Sequence, residues 1–261
     1  MPMDRRAFLA QAGMATAGLL GLSQLPGRAS ESPAAEALIA SDPHAAGGHH
    51  GAADAGLKAC RPADPLQALL DGNARFVKAW AAADAAPTPA ARAKVLSALW
   101  EKNCYTTSSV LKGGQAPWAA VLACADSRVA PEWVFDAALS DLFVIRSAGN
   151  TAFGDAVASL EYAISHLGTE LVLVMGHSSC GAVKAARGSD PLTPLLTDLV
   201  KPIRASFSAG DDLTAAIKAN ARYAAAQITK RSAVMAEAVA SGKVKIRSSY
   251  YDIASGKVSL L

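Results

Sequence analysis

The stretch Trp118-Ala119-Ala120-Val121-Leu122-Ala123 decides the fold class, and it is followed at once by Cys124 and polar residues. Six apolar residues are too few for a buried helix and are typical of a strand that is buried on both faces. Similar runs occur at residues 142–145 and 171–175, and a helical pattern over residues 155–166 separates them. This order of strand, helix and strand predicts an α/β fold with a parallel-core sheet flanked by helices.

The segments on either side continue this pattern of helices and strands. Asp64 is a helix-capping residue in front of an apolar periodicity, and Ala-rich helices are predicted over residues 90–100 and 211–240. Polar and apolar residues alternate over residues 243–253, and a turn sequence then precedes residues 258–261. Alternation with a short turn predicts a C-terminal hairpin at the edge of the sheet.

Residues 1–30 have the composition of an export signal peptide. Arg5 and Arg6 precede an uncharged stretch over residues 10–26 that is rich in Ala, Gly and Leu, and paired arginines are typical of the twin-arginine route. A membrane anchor is the alternative, but glycines and a proline interrupt this stretch, which is barely long enough to span a bilayer. We therefore expect an exported, periplasmic protein with no stable membrane insertion after export.

The composition predicts one folded domain behind a flexible linker. Of the 261 residues, 51% are hydrophobic and 18% are charged, which is ample for one core. Residues 31–62 lack apolar periodicity and are predicted to be an Ala/Gly/His linker, so the folded domain is expected at residues 63–261. The net charge of +3 implies no nucleic-acid partner and favours a small-molecule partner. Histidines in such a linker are more typical of solvated chain than of a metal site: His44, His49 and His50.

Three residues at the predicted strand ends have the chemistry of a metal site. Cys124 ends the 118–123 run, and His177 and Cys180 follow the 171–175 run. In a parallel sheet both runs end at the carboxyl edge, where ligand sites form. Two thiolates and one imidazole suit zinc, and three protein ligands leave a fourth position open for water, as in catalytic zinc sites.

An acidic and a basic residue beside the first cysteine favour a catalytic role for this site. A His-x-x-Cys pair with a distant second cysteine is weak on its own, because buried free cysteines are common. Asp126 and Arg128 follow Cys124 closely, and both are costly to bury without a role. When paired with Arg128, Asp126 would stay ionised and accept a hydrogen bond that orients a nucleophile.

Three sequence blocks resemble those of the β-class carbonic anhydrases, in the same order and at similar spacing. They are Cys124-Ala125-Asp126-Ser127-Arg128-Val129, Arg146-Ser147-Ala148-Gly149-Asn150 and Gly176-His177-Ser178-Ser179-Cys180-Gly181. Weaker similarities lie at residues 72–76, 114–117 and 251–257. The resemblance therefore covers about residues 64 to 261, and it implies that residues 63–261 form the catalytic domain.

The resemblance implies an enzyme, carbonate dehydratase, which is a lyase. The Cys124, His177 and Cys180 set would hold one Zn²⁺ per subunit, and Asp126 with Arg128 would form the catalytic dyad. Gln115 matches a family position that hydrogen-bonds substrate. The implied reaction is the reversible hydration of carbon dioxide, in which zinc-bound hydroxide attacks and bicarbonate and a proton are released. Family members commonly complete each active-site cleft with a neighbouring subunit, which implies a homodimer or a homotetramer.

The resemblance leaves two possible occupants for the fourth zinc position, water and Asp126. In some members the aspartate occupies that position at low pH, so Asp126 is a possible fourth ligand in a closed state. The subset that a second, non-catalytic bicarbonate regulates carries a tryptophan three residues before the first cysteine, where this chain has Val121. Arg146 and Tyr251 match the other two positions of that subset. Without the tryptophan, we predict an open, water-bound zinc at neutral pH.

Two other functions stay open at this point. Carbon disulfide and carbonyl sulfide hydrolases on the same scaffold share this zinc site, and the ligand motifs do not exclude them. A non-catalytic zinc-binding protein or a redox dithiol is the second alternative, although storage would not require Asp126 and Arg128. Cys60 and Cys104 join no ligand motif and could form a disulfide in an oxidising compartment.

Overall fold

The computed structural model of the chain describes residues 55–261. The predicted signal peptide (1–30) and the linker histidines His44, His49 and His50 lie outside the described residues. Among residues 55–261, no helix combines the length and the hydropathy that a bilayer span requires.

Helices and strands alternate in the middle of the described chain, over residues 119–187, as the sequence pattern predicts. The helices are α1 (Pro65–Ala85), α2 (Pro89–Ser97), α3 (Ser108–Leu111), α4 (Pro131–Val134), α5 (Gly154–Ser165), α6 (Gly181–Arg187), α7 (Pro194–Arg204), α8 (Leu213–Arg231) and α9 (Ala233–Ala240). The strands are β1 (Ala119–Cys124), β2 (Leu142–Ser147), β3 (Leu171–His177), β4 (Lys245–Asp252) and β5 (Lys257–Leu260). The three apolar runs thus form β1, β2 and β3.

The five strands form one sheet in the order β2-β1-β3-β4-β5. The first four strands of this sheet run parallel, and β5 pairs antiparallel with β4 at the edge. This arrangement confirms the predicted α/β fold and the C-terminal edge hairpin. Since β1 and β3 are neighbours and parallel, their carboxyl ends lie side by side at the same edge of the sheet.

Helices cover both faces of the central strands, which explains why every residue of β1 and β3 is buried. Val121 of β1 belongs to one core, to which α1 contributes Leu69 and Phe76. Leu122 points to the opposite face and belongs to a second core with residues of α5 and α8. Strands that are buried on both faces read as continuous apolar runs, which is the pattern that identified them.

Two predicted helices end earlier than the sequence pattern indicated. The helix expected over residues 211–240 is broken at Ser232, whose backbone is extended (φ −133°, ψ 117°) and whose Oγ accepts a hydrogen bond from the amide of Met235. Ser232 therefore caps a new helix, α9, and a serine within an Ala-rich run gave no clear stop signal. The helix expected over residues 90–100 ends at Ser97, and Trp100 adopts a left-handed φ of 71°.

The weak sequence similarity near residue 73 has a structural explanation. The buried side chain of Asn73 donates through Nδ2 to the carbonyl oxygens of Val134 at 3.0 Å and Gly256 at 2.9 Å. Its Oδ1 accepts a hydrogen bond from the amide of Val258 at 2.8 Å. Asn73 thus connects α1 to α4 and to the terminal hairpin.

A disulfide bond joins Cys60 to Cys104, which are 44 positions apart in sequence and whose Cα atoms are 5.4 Å apart. The bond anchors the segment in front of α1 to the connection between α2 and α3. Cys124 and Cys180 remain free thiols, and both are buried. The disulfide therefore uses the two cysteines that match no ligand motif.

Candidate metal centre

The structure brings the three predicted metal ligands together at the carboxyl edge of the sheet. Cys124 ends β1, His177 ends β3, and Cys180 is the residue in front of α6. Their ligand atoms all lie within 4.8 Å of one another, and the two sulfur atoms are 4.0 Å apart. Ser179 adopts a left-handed φ of 59° between the second and third ligands. All three side chains are buried, as a site that excludes bulk water requires.

The loop after β3 fixes the orientation of the His177 ring. Its Nδ1 lies 3.0 Å from the carbonyl oxygen of Ser178, which can only accept, so Nδ1 carries the proton. Ser178 is itself held by two hydrogen bonds, since its amide donates to the carbonyl of Tyr251 and its Oγ accepts from the amide of Ile253. The buried Nε2 has no hydrogen-bond partner among the described residues. Its lone pair is therefore available to a metal ion beside the two sulfurs.

The two cysteines share one proton in the metal-free site. A hydrogen bond from the thiol of Cys180 and another from the amide of Gly149 stabilise the thiolate of Cys124, and against the opposing effect of burial they lower the pKa of Cys124 to about 4. The hydrogen bond to Cys124 and burial raise the pKa of Cys180. A metal ion that binds both sulfurs would displace the remaining proton. With Nε2 of His177, the donor set is that of a three-ligand zinc site.

The Asp126 carboxylate lies beside this donor set and is held by Arg128. Its Oδ1 accepts from Nε of Arg128 at 2.9 Å and from the Arg128 amide at 3.0 Å, and its Oδ2 accepts from Nη2 at 2.7 Å. These hydrogen bonds hold the pKa of Asp126 well below its usual range. The same Oδ2 lies 3.9 Å from Nε2 of His177. An ionised acceptor thus stands next to the candidate ligands.

Arg146 on β2 supports the backbone that carries the site. Its Nε donates to the carbonyl oxygen of Cys124 at 3.0 Å, and its Nη2 donates to the carbonyl oxygen of Asp126 at 2.7 Å. Tyr251 pairs in register with His177 on the neighbouring strand. Burial, followed by the nearby Asp252, raises the pKa of Tyr251 to about 12. Arg146 and Tyr251, which match the bicarbonate-regulated subset, therefore both make hydrogen bonds with the backbone around the candidate ligands.

Gln115 is the predicted site residue that a single chain does not bring to the centre. It lies on the exposed loop in front of β1, whereas Cys124 lies at the other end of that strand. A strand of six residues spans about 20 Å, at about 3.3 Å per residue. The substrate-binding role of Gln115 stays a prediction, and it would require a neighbouring subunit.

Sequence reasoning assigned no role to two residues behind the site, Gly149 and Asn220. The amide of Gly149 donates to Sγ of Cys124 at 3.3 Å. The buried Nδ2 of Asn220 on α8 donates to the carbonyl oxygen of Gly149 at 2.8 Å. The available signal was a polar residue at a helix position surrounded by buried apolar ones, Ile217 and Ala224 among them.

Comparison with known proteins places these residues in one family. The family model described as carbonic anhydrase matches residues 119–258, which contain all three candidate ligands and both members of the Asp–Arg pair. The carbonic anhydrase of Mycolicibacterium smegmatis is 34% identical over 212 residues, which cover 76% of this chain and 93% of that protein.

Solved structures agree with this result. The Coccomyxa β-carbonic anhydrase, in complex with acetazolamide, is similar with a TM-score of 0.53 and 28% identity over 59% of this chain and 76% of that one. A tetrameric β-carbonic anhydrase of Sordaria macrospora gives a TM-score of 0.52 over 58% of this chain and 83% of that one. At 23% identity, the second likeness concerns the fold alone.

Proposed function

Since the chain belongs to the carbonic anhydrase family, β class, we propose that it catalyses the zinc-dependent, reversible hydration of carbon dioxide to bicarbonate and a proton. One observation carries the proposal. Cys124, His177 and Cys180 present two sulfurs and an unpartnered Nε2 within 4.8 Å of one another. Such a set is costly to bury without a metal ion.

The donor set fits zinc better than the hard cations that carboxylates and carbonyls bind. Two sulfur ligands and one imidazole are borderline-soft, and a fourth position remains for water. Zinc at this site would supply a Lewis acid that lowers the pKa of a bound water to about 7. The protein supplies the geometry, because the ends of β1 and β3 and the start of α6 determine where the three ligands lie.

Asp126 is proposed to orient the attacking water. Its Oδ2 lies next to the ligand set and can accept a hydrogen bond from that water. Arg128 keeps the carboxylate ionised and holds it with three hydrogen bonds. These hydrogen bonds also support the prediction that Asp126 stays off the metal at neutral pH. A crystal structure of the zinc-loaded protein at pH 7 with Asp126 on the metal would contradict it.

We further propose a homodimer, or a homotetramer built from it, in which a second copy supplies Gln115. The strand β2 lies at the open edge of the sheet, and its apolar residues are only partly buried in one chain. An unpaired apolar edge of this kind favours association with a second chain. Sedimentation that detects only monomers of the zinc-loaded protein would contradict this assembly.

A stopped-flow assay tests the reaction on purified, zinc-loaded protein. We expect carbon dioxide hydration to proceed at a kcat/KM far above that of the metal-free protein, with little turnover of carbonyl sulfide or carbon disulfide. Negligible hydration with rapid carbonyl sulfide or carbon disulfide turnover would favour the hydrolase alternative. Tight zinc binding with no turnover of any of the three substrates would favour a non-catalytic zinc-binding protein.

Export is proposed on the basis of the twin-arginine pattern, and the Cys60–Cys104 disulfide supports it, because such bonds persist in oxidising compartments. Folding and zinc loading before export would protect Cys124 and Cys180 from oxidation. We expect an Arg5→Lys/Arg6→Lys variant to stay in the cytoplasm, where denatured protein titrates four thiols instead of two. An Arg28→Lys variant, changed outside the pair, should reach the periplasm. Equal export of both variants would contradict the proposal.

A further inference from the structure

We propose that Asn220 is a positioning residue for the Cys124 ligand, and that it acts through the backbone of Gly149. The inference rests on the proposed function, because it concerns how the zinc-binding thiolate is held. Asn220 lies on α8 and Cys124 at the end of β1, so the two residues belong to different layers of the fold. Gly149 connects them by one hydrogen bond on each side.

The connection consists of two short, buried contacts. Nδ2 of Asn220 donates to the carbonyl oxygen of Gly149 at 2.8 Å, and the amide of Gly149 donates to Sγ of Cys124 at 3.3 Å. Only 1% of the Asn220 surface is exposed. Hydrogen bonds in such buried surroundings are electrostatically stronger than in water.

The turn at Gly149 depends on outside support to keep its orientation. Gly149 has a φ of 79°, in the region that glycine adopts freely and other residues rarely do. A Cβ atom at this position would lie 2.5 Å from Cδ1 of Ile203 and 3.1 Å from Cβ of Ala182. Because no side chain fits here, hydrogen bonds to the backbone atoms of Gly149 set the direction of its amide. Asn220 provides the bond that fixes the carbonyl side.

The apolar surroundings of Asn220 indicate that its side-chain amide is there to make a specific hydrogen bond. The neighbouring positions on the same face of α8 are buried and apolar, including Ala216, Ile217 and Ala224. Gly176 of β3 lets this face approach closely, since a Cβ there would lie 3.1 Å from Ile217. An apolar residue at position 220 would suit this layer better if only burial mattered. The Asn220 amide instead binds the carbonyl oxygen of Gly149, whose own amide contacts the ligand sulfur.

Loss of the Asn220 bond is expected to weaken the hydrogen bond to the ligand sulfur. The Gly149 carbonyl would be left buried without its donor, and the turn would rotate to find another partner. The amide would then no longer point at Sγ of Cys124, so negative charge on the sulfur would be less stabilised. Outer-shell changes of this kind typically cost about 10- to 100-fold in metal affinity.

Cobalt substitution gives a readout that does not depend on turnover. In Co²⁺-loaded Asn220→Leu protein, we expect the sulfur-to-cobalt charge-transfer band to move to longer wavelength, because the sulfur electrons are less stabilised. Release of zinc to a chelator should be about 10- to 100-fold faster. The matched control is Asn73→Leu, which removes another buried amide with backbone partners far from the ligands. Both variants should unfold at lower denaturant concentration, and only Asn220→Leu should change the band and the release rate.

The proposal is overturned if Asn220→Leu keeps the wild-type band and release rate, or if Asn73→Leu changes them equally. Should Asn220→Leu fail to fold, Asn220→Ser gives the same comparison, because its hydroxyl is too short to reach the Gly149 carbonyl. Failure of the proposed function would give a different result, because the Co²⁺-loaded wild-type protein would then lack a charge-transfer band that depends on Cys124. The Cys124→Ser variant identifies such a band by its loss.

Discussion

Replacement of Cys124 by serine is expected to remove zinc and to lower carbon dioxide hydration by at least about 10³-fold, which corresponds to about 4 kcal/mol. A serine hydroxyl is not ionised near neutral pH and is a poor ligand for a borderline-soft metal. Only His177 and Cys180 would remain, and the Gly149 amide would lose its acceptor sulfur. Metal analysis and stopped-flow hydration on the same preparation measure both effects.

The chain offers a matched control for this change. A Cys60→Ser/Cys104→Ser variant makes the same chemical substitution at the disulfide, which lies in front of β1 and outside the ligand set. We expect this variant to keep one zinc per chain and near wild-type hydration, although it will unfold more easily. Full zinc content or full activity in Cys124→Ser would show that the metal centre has been assigned to the wrong residues.

The central part of the fold could be predicted because local sequence and global arrangement agree there. The runs that became β1 and β3 are apolar throughout, as strands buried on both faces must be. Parallel pairing then places the ends of β1 and β3 side by side, which brought Cys124 and His177 together without any knowledge of coordinates. The break at Ser232 could not be predicted with the same ease, because an N-cap serine inside an Ala-rich run resembles an ordinary helical residue.

The supporting residues of the site were harder to find than its ligands. Metal ligands can be identified by residue type, because cysteine and histidine are common zinc ligands. Gly149 instead acts through its backbone amide, and Asn220 through one side-chain hydrogen bond to backbone, so neither residue type indicates the role. Arg146 matches a regulatory position of the family in sequence, but its contacts with two carbonyl oxygens depend on the three-dimensional pairing of β2 with β1. The predicted role of Gln115 would depend on a second subunit, so the contacts of that role are absent from a single chain.

Asp126→Asn is expected to keep zinc and to reduce hydration by about 10²- to 10³-fold. The amide has the size of the carboxylate but no charge, so it is a weaker acceptor for the attacking water. It also loses part of the ion pair with Arg128, whose Nε and Nη2 bind both carboxylate oxygens in the wild type. Stopped-flow hydration with zinc-loaded protein measures the loss, and metal analysis confirms that the ligands are intact.

The pH dependence of the hydration activity tests whether the side chain at position 126 acts as an ionised acceptor. Arg128 holds the pKa of Asp126 well below its usual range, so the wild-type carboxylate stays charged over the whole range from about pH 6 to 9. The ratio of wild-type to variant activity should therefore be constant across that range. Glu132→Gln is the control, because it removes an exposed carboxylate of α4 and should leave hydration unchanged. Loss of zinc in Asp126→Asn would instead identify Asp126 as a metal ligand, and unchanged hydration would remove it from the catalytic machinery.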